Sequence, residues 1–311
     1  MAINWYPGHM HKAQKEIKQA LPGVDLIIEV VDARIPFSSA NPVIADLSQT
    51  KGLNKPIIKV INKTDLADPT ITQLWCDYLD QQQGVKALPV TANKPEQVKK
   101  IIALCRKLAP HRVEKELPVR AMIMGIPNVG KSTIINILSG RTIAKVGNEP
   151  AVTQRQQRID LDEGVTLFDT PGILWPKIEN SHSSYRLAIT GAIKDTALDY
   201  DDIAFYAMDY LSESYQAALQ EKFGLTELGQ DALASLEAIG RKRGCLKAGG
   251  RVDLDKVCKI LIHEYRNAGL GTISLETPAM IEKELIELAE KIRLKEEKKA
   301  ARKKNFKKKK R

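Results

Sequence analysis

The sequence predicts an α/β domain followed by a smaller all-α domain, on three observations. Before residue 180, apolar runs of strand length, such as Asp25–Asp32 (DLIIEVVD) and Val119–Met124, alternate with stretches whose apolar residues recur at helical spacing. One alternation encloses Gly125–Ser132 (GIPNVGKS), a G-x-x-x-x-G-K-[ST] loop between a strand and the helical pattern Thr133–Leu138. From Tyr185 onward helical patterns follow one another, and no strand run of comparable strength appears. The expected division is residues 1–180 for the α/β domain, 181–280 for the helical domain and 281–311 for a charged helix and basic tail.

A chain of 311 residues, 43% hydrophobic, can bury a full core and is expected to hold two domains. No apolar run is long enough to cross a bilayer, and the opening MAINWYPGHMHK lacks the apolar middle of a signal peptide, so a cytoplasmic protein without a membrane partner is expected. The four cysteines show no C-x-x-C spacing, which argues for reduced thiols and against metal held through sulfur. The net charge of +10 is concentrated in Lys298–Arg311 (KKAARKKNFKKKKR), leaving equal numbers of basic and acidic residues elsewhere. Such a block is usually disordered in isolation. It either contacts nucleic-acid phosphates or only solubilises.

Met1–Leu21 reads as a loop feeding an amphipathic helix through Met10, Ala13, Ile17, Ala20 and Leu21. His9 sits at the hinge and His11 follows; residue chemistry alone leaves the pair open between surface and site. Strand Asp25–Asp32 runs into DARIP, and a helix is expected over Asn41–Leu47. Strand Pro56–Ile61 then delivers Asn62, Lys63, Thr64 and Asp65, an N-K-x-D pattern at a strand's C-terminal end, where open α/β sheets bind ligands. The Asp65 carboxylate can accept from guanine N1–H and its exocyclic amine, donors that adenine lacks there. A helix over Pro69–Gln82 and a strand over Lys86–Val90 lead to Thr91, Ala92 and Asn93, a turn that can place a backbone N–H on the guanine carbonyl. Helix Pro95–Leu108 and the charged connector Pro110–Pro118 complete the approach to the Gly-rich loop.

In that loop, backbone N–H groups from Asn128 to Thr133, through Val129 and Gly130, point at phosphates. Lys131 reaches the outer ones, and the Ser132 hydroxyl can ligate Mg²⁺. Lys145–Arg158 reads as a polar loop; Thr153 within it is either a second Mg²⁺ hydroxyl or an ordinary loop threonine. Strand Val165–Phe168 runs into Asp169, Thr170, Pro171 and Gly172, where Asp169 can hold Mg²⁺ through water and the Gly172 N–H can meet a γ-phosphate.

Two consequences follow. The base-reading elements precede the phosphate loop, whereas in ordinary small GTPases they follow it, so the fold is expected to be a circularly permuted P-loop GTPase domain. The permutation opens the chain just after DTPG, so Ile173–Ser183 would carry the nucleotide state into the helical domain through one covalent connection. Ile173 also stands where Ras-like GTPases carry a water-orienting Gln, so turnover of the isolated protein should be slow and the catalytic group should come from elsewhere.

Helical patterns then cover Tyr185–Lys194, Tyr200–Ser212, Tyr215–Phe223, Leu233–Gly240, Asp253–Asn267 and Pro278–Lys295. Arg241, Lys242, Arg243 and Lys247 form either an RNA-contacting turn or a solvated helix end.

The motifs WYPGHM, DARIP, NKTD, GIPNVGKST, DTPGILWPK, GAIKD and KRGCLKAGG together span about residues 4–275. In this combination the chain resembles the YlqF/RbgA family of circularly permuted GTPases, ribosome biogenesis GTPase A. The resemblance implies a factor in late assembly of the large ribosomal subunit. It would bind rRNA and ribosomal proteins with GTP, and leave after hydrolysis to GDP. It further implies His9 as the replacement for the missing Gln, acting on water, and Asn128 as a ligand for K⁺ whose charge replaces an arginine finger. Ala151 departs from the family's usual Gly, and neither His11 nor the basic tail has a secure counterpart. A monomer is expected. The rival readings are a non-catalytic guanine-nucleotide-binding RNA scaffold and a metabolic enzyme; the latter needs a polar cluster in the second domain that the sequence does not offer.

Overall fold

The computed structural model describes residues 15, 17–42, 44, 55–143, 157–172, 174, 178–193 and 199–309, with side chains as far as Lys299. Five parallel strands form most of a six-stranded sheet: β1 (Leu26–Asp32), β2 (Ile57–Asn62), β3 (Val85–Pro89), β4 (Val119–Gly125) and β6 (Val165–Asp169). All seven residues of β1 are buried, because a central strand covered on both faces has no solvent side to alternate toward. Glu29 within it is compensated by an ion pair with Lys59.

Among the described residues, helix α1 (Pro69–Asp80) crosses from β2 to β3, α2 (Pro95–Leu108) from β3 to β4, and α3 (Lys131–Ser139) follows β4. Asp68 caps α1 by accepting from Thr70 N and Ile71 N, and Pro69 fills the first turn, where no N–H is needed. Between α2 and β4 the expected connector contains one helical turn, Pro110–Val113, and Arg112 fixes it by donating to Pro118 O (2.8 Å).

The order β3-β2-β1-β4-β6-β5 places the first three strands on one side of β4 and the last two on the other. Here β5 (Gln157–Leu161), antiparallel to β6, replaces the end of the expected polar loop. Its alternation is short, with Ile159 and Leu161 buried while Arg158 and Asp160 face out. An edge strand with charge on its outer face reads as loop in sequence.

Beyond the sheet lie α4 (Ser181–Ile189), α5 (Tyr200–Ser214), α6 (Gln216–Phe223), α7 (Ala232–Lys242), α8 (Leu254–Arg266) and α9 (Pro278–Lys309). The core of this region is Ile203, Ala207, Met208 and Leu211 of α5 against Val257, Leu261, Ile262 and Tyr265 of α8. Helix α9 runs past the expected end at Lys295 and through most of the basic block. Its Ala, Lys, Glu and Arg content favours helix, nothing after Pro278 breaks it, and Arg293–Glu297 adds an i,i+4 pair. Among the described residues no helix is long and apolar enough to cross a membrane. The four cysteines are buried and free, and burial pushes the Cys105 thiol up to about 12.

The junction between the two regions is broader than the single covalent connection expected. Residues 273–276 return to the α/β domain: Ile273 N donates to Leu66 O (3.1 Å), Leu275 N to Arg34 O (2.9 Å) and Trp75 Nε1 to Glu276 O (3.0 Å). The fully buried Glu276 carboxylate accepts from Phe37 N (2.5 Å), Ser38 N (2.9 Å) and Ser38 Oγ (2.5 Å), and faces Arg186 of α4 (3.5 Å). Arg186 also pairs with Glu284 of α9 at 2.5 Å, to which Asn180, the cap of α4, donates at 2.8 Å. The chain leaving DTPG and the chain returning from α8 therefore meet at one buried polar cluster.

Candidate nucleotide-binding site

Parallel pairing brings the C-terminal ends of four strands to one edge: Asp32 lies beside Asn62, Val30 beside Gly125 and Ile123 beside Asp169. DARIP, the N-K-x-D segment, the phosphate loop and Asp169 therefore lie at one edge of the sheet. Gly125 is required for this approach, since a Cβ there would stand 2.8 Å from Val30 O.

The loop Gly125–Ser132 turns through two left-handed residues, Asn128 (φ 64°) and Gly130 (φ 89°). The N-K-x-D segment is fastened to it directly. Asn62 Nδ2 donates to Val129 O (2.8 Å), and a Cβ on Gly130 would stand 2.3 Å from that same nitrogen. Lys63 Nζ donates to Asn128 O (2.5 Å) and to Asp32 Oδ2 (2.9 Å). Burial lowers the Lys63 pKa, with Asp32 opposing the shift. Asp65 accepts from Thr91 Oγ1 (2.7 Å) at one oxygen and from Asn93 Nδ2 (2.9 Å) at the other. Each oxygen keeps a second lone pair, so the carboxylate is pre-set for two further donors. Thr91 N itself donates to Gln97 Oε1 (3.2 Å), so Thr91 contributes its hydroxyl to Asp65, and Ala92 follows it in the turn.

Lys131 and Ser132 open α3, with Ser132 and Thr133 half-buried. Lys131 is buried and pairs with Asp169 at the end of β6; burial pulls its pKa down against that pairing. Thr170 Oγ1 donates to Ile123 O (3.0 Å), and Gly172 packs so near the phosphate loop that a Cβ would stand 3.3 Å from Pro127 N. Asn128 Nδ2 donates to Gly191 O (2.6 Å), joining the phosphate loop to the turn after α4.

The donor set suits Mg²⁺. The Ser132 hydroxyl and the Asp169 carboxylate are hard oxygen ligands on adjacent elements, and Asp169 already sits against a cation, the Lys131 ammonium. No group of three or more His, Cys, Asp or Glu suited to a metal occurs among the described residues, and phosphate and water would complete the ion's shell beside its protein oxygens. His9, Ala151, Thr153 and Ile173 lie outside the described residues. Sequence reasoning passed over Asp32, Arg34 and Gly191, and named Asn93 only as part of the turn after β3. A strand-final acid followed two residues later by Arg in DARIP was the available signal for the first two.

Joining β3 to β4 through Pro110–Pro118 while cutting after β6 yields the strand order of a P-loop GTPase with base recognition moved ahead of the phosphate loop. The fold and site define a circularly permuted P-loop GTPase, an enzyme that hydrolyses GTP. A family model described as "50S ribosome-binding GTPase" matches residues 120–232. Ribosome biogenesis GTPase A of Priestia megaterium is 43% identical over 293 residues, covering 92% of this chain and 100% of that protein. The protein of the same name from Bacillus cereus is 41% identical over 285 residues, covering 89% of this chain and 95% of its own length. A crystal structure of GNP-bound YlqF from T. maritima superposes with a TM-score of 0.58 at 28% identity, over 86% of this chain and 98% of that one. The chain belongs to the ribosome biogenesis GTPase A family.

Proposed function

We propose that this GTPase assists late assembly of the large ribosomal subunit, binding rRNA and ribosomal proteins of the particle with GTP and leaving after hydrolysis to GDP. The full-length match to ribosome biogenesis GTPase A carries the reading. The Asn128–Gly191 hydrogen bond supports it, because it ties the phosphate loop to the helical region that would read the particle.

In this reading residues 1–180 bind nucleotide, 181–280 contact the ribosome, and the helix and tail of 281–311 contact RNA phosphates. Asn62, Lys63, Asp65, Thr91 and Ala92 form the guanine site. The phosphates lie over Asn128–Thr133, with Lys131 exchanging Asp169 for their outer oxygens and the Gly172 N–H meeting the γ-phosphate. Ser132, Thr153 and Asp169 would hold Mg²⁺, which would neutralise phosphate charge, and Asn128 would hold K⁺, whose charge would stand in for an arginine finger. His9 orients the attacking water or accepts its proton. The protein works as a cytoplasmic monomer.

The test is GTP turnover with and without large ribosomal subunits, in K⁺ and in Na⁺, with co-sedimentation in GTP and GDP. Stimulated turnover and GTP-dependent co-sedimentation are expected. Equal sedimentation in both nucleotides with no stimulation would overturn the assembly role.

A further inference from the structure

The DARIP segment touches the site through the Asp32–Lys63 pair but has so far been given no role in it. Asp32, the last residue of β1, is buried, and its carboxylate is fully engaged. Oδ1 accepts from Arg34 N and Arg34 Nε, both at 3.0 Å; Oδ2 accepts from Arg34 Nη2 at 2.8 Å and from Lys63 Nζ at 2.9 Å. Arg34 is itself buried, and its guanidinium lies over the Tyr265 ring, 5.4 Å from the centroid. Its remaining nitrogen, Nη1, makes no hydrogen bond among the described residues, so the face of the ring is what compensates it. Leu275 N holds the Arg34 backbone from the same side.

We propose that Asp32 is a positioning residue of the guanine site: it fixes Lys63 across the phosphate loop, and Arg34, braced on Tyr265, fixes Asp32. Lys63 has left-handed backbone (φ 64°) and a long side chain that crosses from the end of β2 to Asn128 O. An ammonium with only the carbonyl to bond would be free to swing toward solvent. A second, charged acceptor holds the stem in one conformation and presents its methylene groups as a fixed apolar wall for a purine. Arg34 occupies three of the four contacts on Asp32, two through its fork and one through its backbone N–H, which leaves one lone pair aimed at Lys63. Asparagine cannot reproduce this arrangement, because its amide nitrogen would face either Arg34 or Lys63, both donors.

The inference rests on reading Lys63 as part of the guanine site, and the experiment separates the two. GDP affinity and steady-state GTP turnover are measured for Asp32→Asn, Lys63→Met, the double variant and Arg34→Lys. Lys63→Met is expected to weaken GDP binding; unchanged affinity there would sink the guanine-site reading itself. Asp32→Asn is expected to raise the GDP dissociation constant and KM about tenfold while kcat at saturating GTP stays within about twofold, since Lys131 and Asp169 are untouched. The double variant should bind GDP no worse than Lys63→Met alone. Multiplicative losses, or a fall in kcat without a rise in KM, would reduce Asp32 to a structural ion pair. Should Asp32→Asn fail to fold, Arg34→Lys decides: it keeps the charge, loses the fork and should weaken GDP binding several-fold. Unchanged affinity in folded Arg34→Lys would overturn the proposal.

Discussion

Replacing Glu276 by alanine removes the acceptor at the centre of the junction between the sheet and the helical region. Truncation strips the partner from two backbone N–H groups, those of Phe37 and Ser38, in a site where Glu276 is fully buried. Each buried donor left unsatisfied costs about 1–3 kcal/mol. Arg186 keeps its bonds to Glu284 at 3.0 and 2.5 Å, so it is not left as an isolated charge. Burial pushes the Glu276 pKa up although Arg186 and Ser38 oppose it, so removing the carboxylate also relieves some desolvation. The net loss should be about 3 kcal/mol, near the lower end of the values for breaking one side of a buried pair. Glu276→Gln keeps one oxygen for the two N–H groups and should lose about 1–2 kcal/mol. Urea unfolding followed by tryptophan fluorescence reads both, because buried Trp75 donates to the Glu276 carbonyl. A loss below about 1 kcal/mol for the alanine variant, or equal losses for alanine and glutamine, would refute this reasoning.

Four further outcomes are expected. Asp65→Asn should weaken GDP binding by at least about a hundredfold and improve binding of xanthosine diphosphate, whose C2 carbonyl can accept from the new amide; retained preference for GDP in a competition titration would place base recognition elsewhere. Arg34 and Lys63 outweigh burial and hold the Asp32 carboxyl well below its usual 3.8, so the unfolded chain binds the proton first; its stabilisation is present above about pH 4 and is lost as pH falls through the depressed folded value. Melting temperatures taken down through that range should fall less steeply for Asp32→Asn than for the parent, and parallel curves would contradict the assignment. His9→Ala should lower ribosome-stimulated turnover with GTP affinity nearly unchanged; loss of nucleotide binding in that variant would refute the catalytic role. Truncation after Glu297 should weaken binding to large-subunit particles and flatten its dependence on salt, whereas an unchanged slope would return the tail to a solubilising role.

Much of the architecture was legible because it is written locally. The buried strands β1, β2 and β4 are nearly continuous apolar runs, α2 is bounded by Pro95 and by Arg106 and Lys107, and each ligand-facing motif follows a strand. The permuted order needs only the sequence of those motifs along the chain. Strand β5 escaped because it has five residues, two of them inward apolar, and borders a polar stretch. Asp32, Arg34 and Glu276 escaped for another reason: a charged residue reads as surface until its partners are known. The donors to Glu276 lie far away in the chain, Phe37 and Ser38 by more than two hundred positions and Arg186 by 90, so no local period reports them. Thr91 shows the same limit at short range. Its position in a turn beside the base was readable, but the use of its hydroxyl to hold Asp65 depends on the twist that sets β2 beside β3.

The return of residues 273–276 gives the helical region two tethers to the sheet, since the chain departs after Gly172 and comes back at Ile273. Topologically, the α4–α8 region is then an insertion with both ends anchored on the same face, not a bead on a string. A body held at two neighbouring points keeps one easy rotation, about the line through them, while translation and twisting strain both attachments at once. The Arg186–Glu276 pair, which joins the departing chain to the returning one, ties the two attachments to each other.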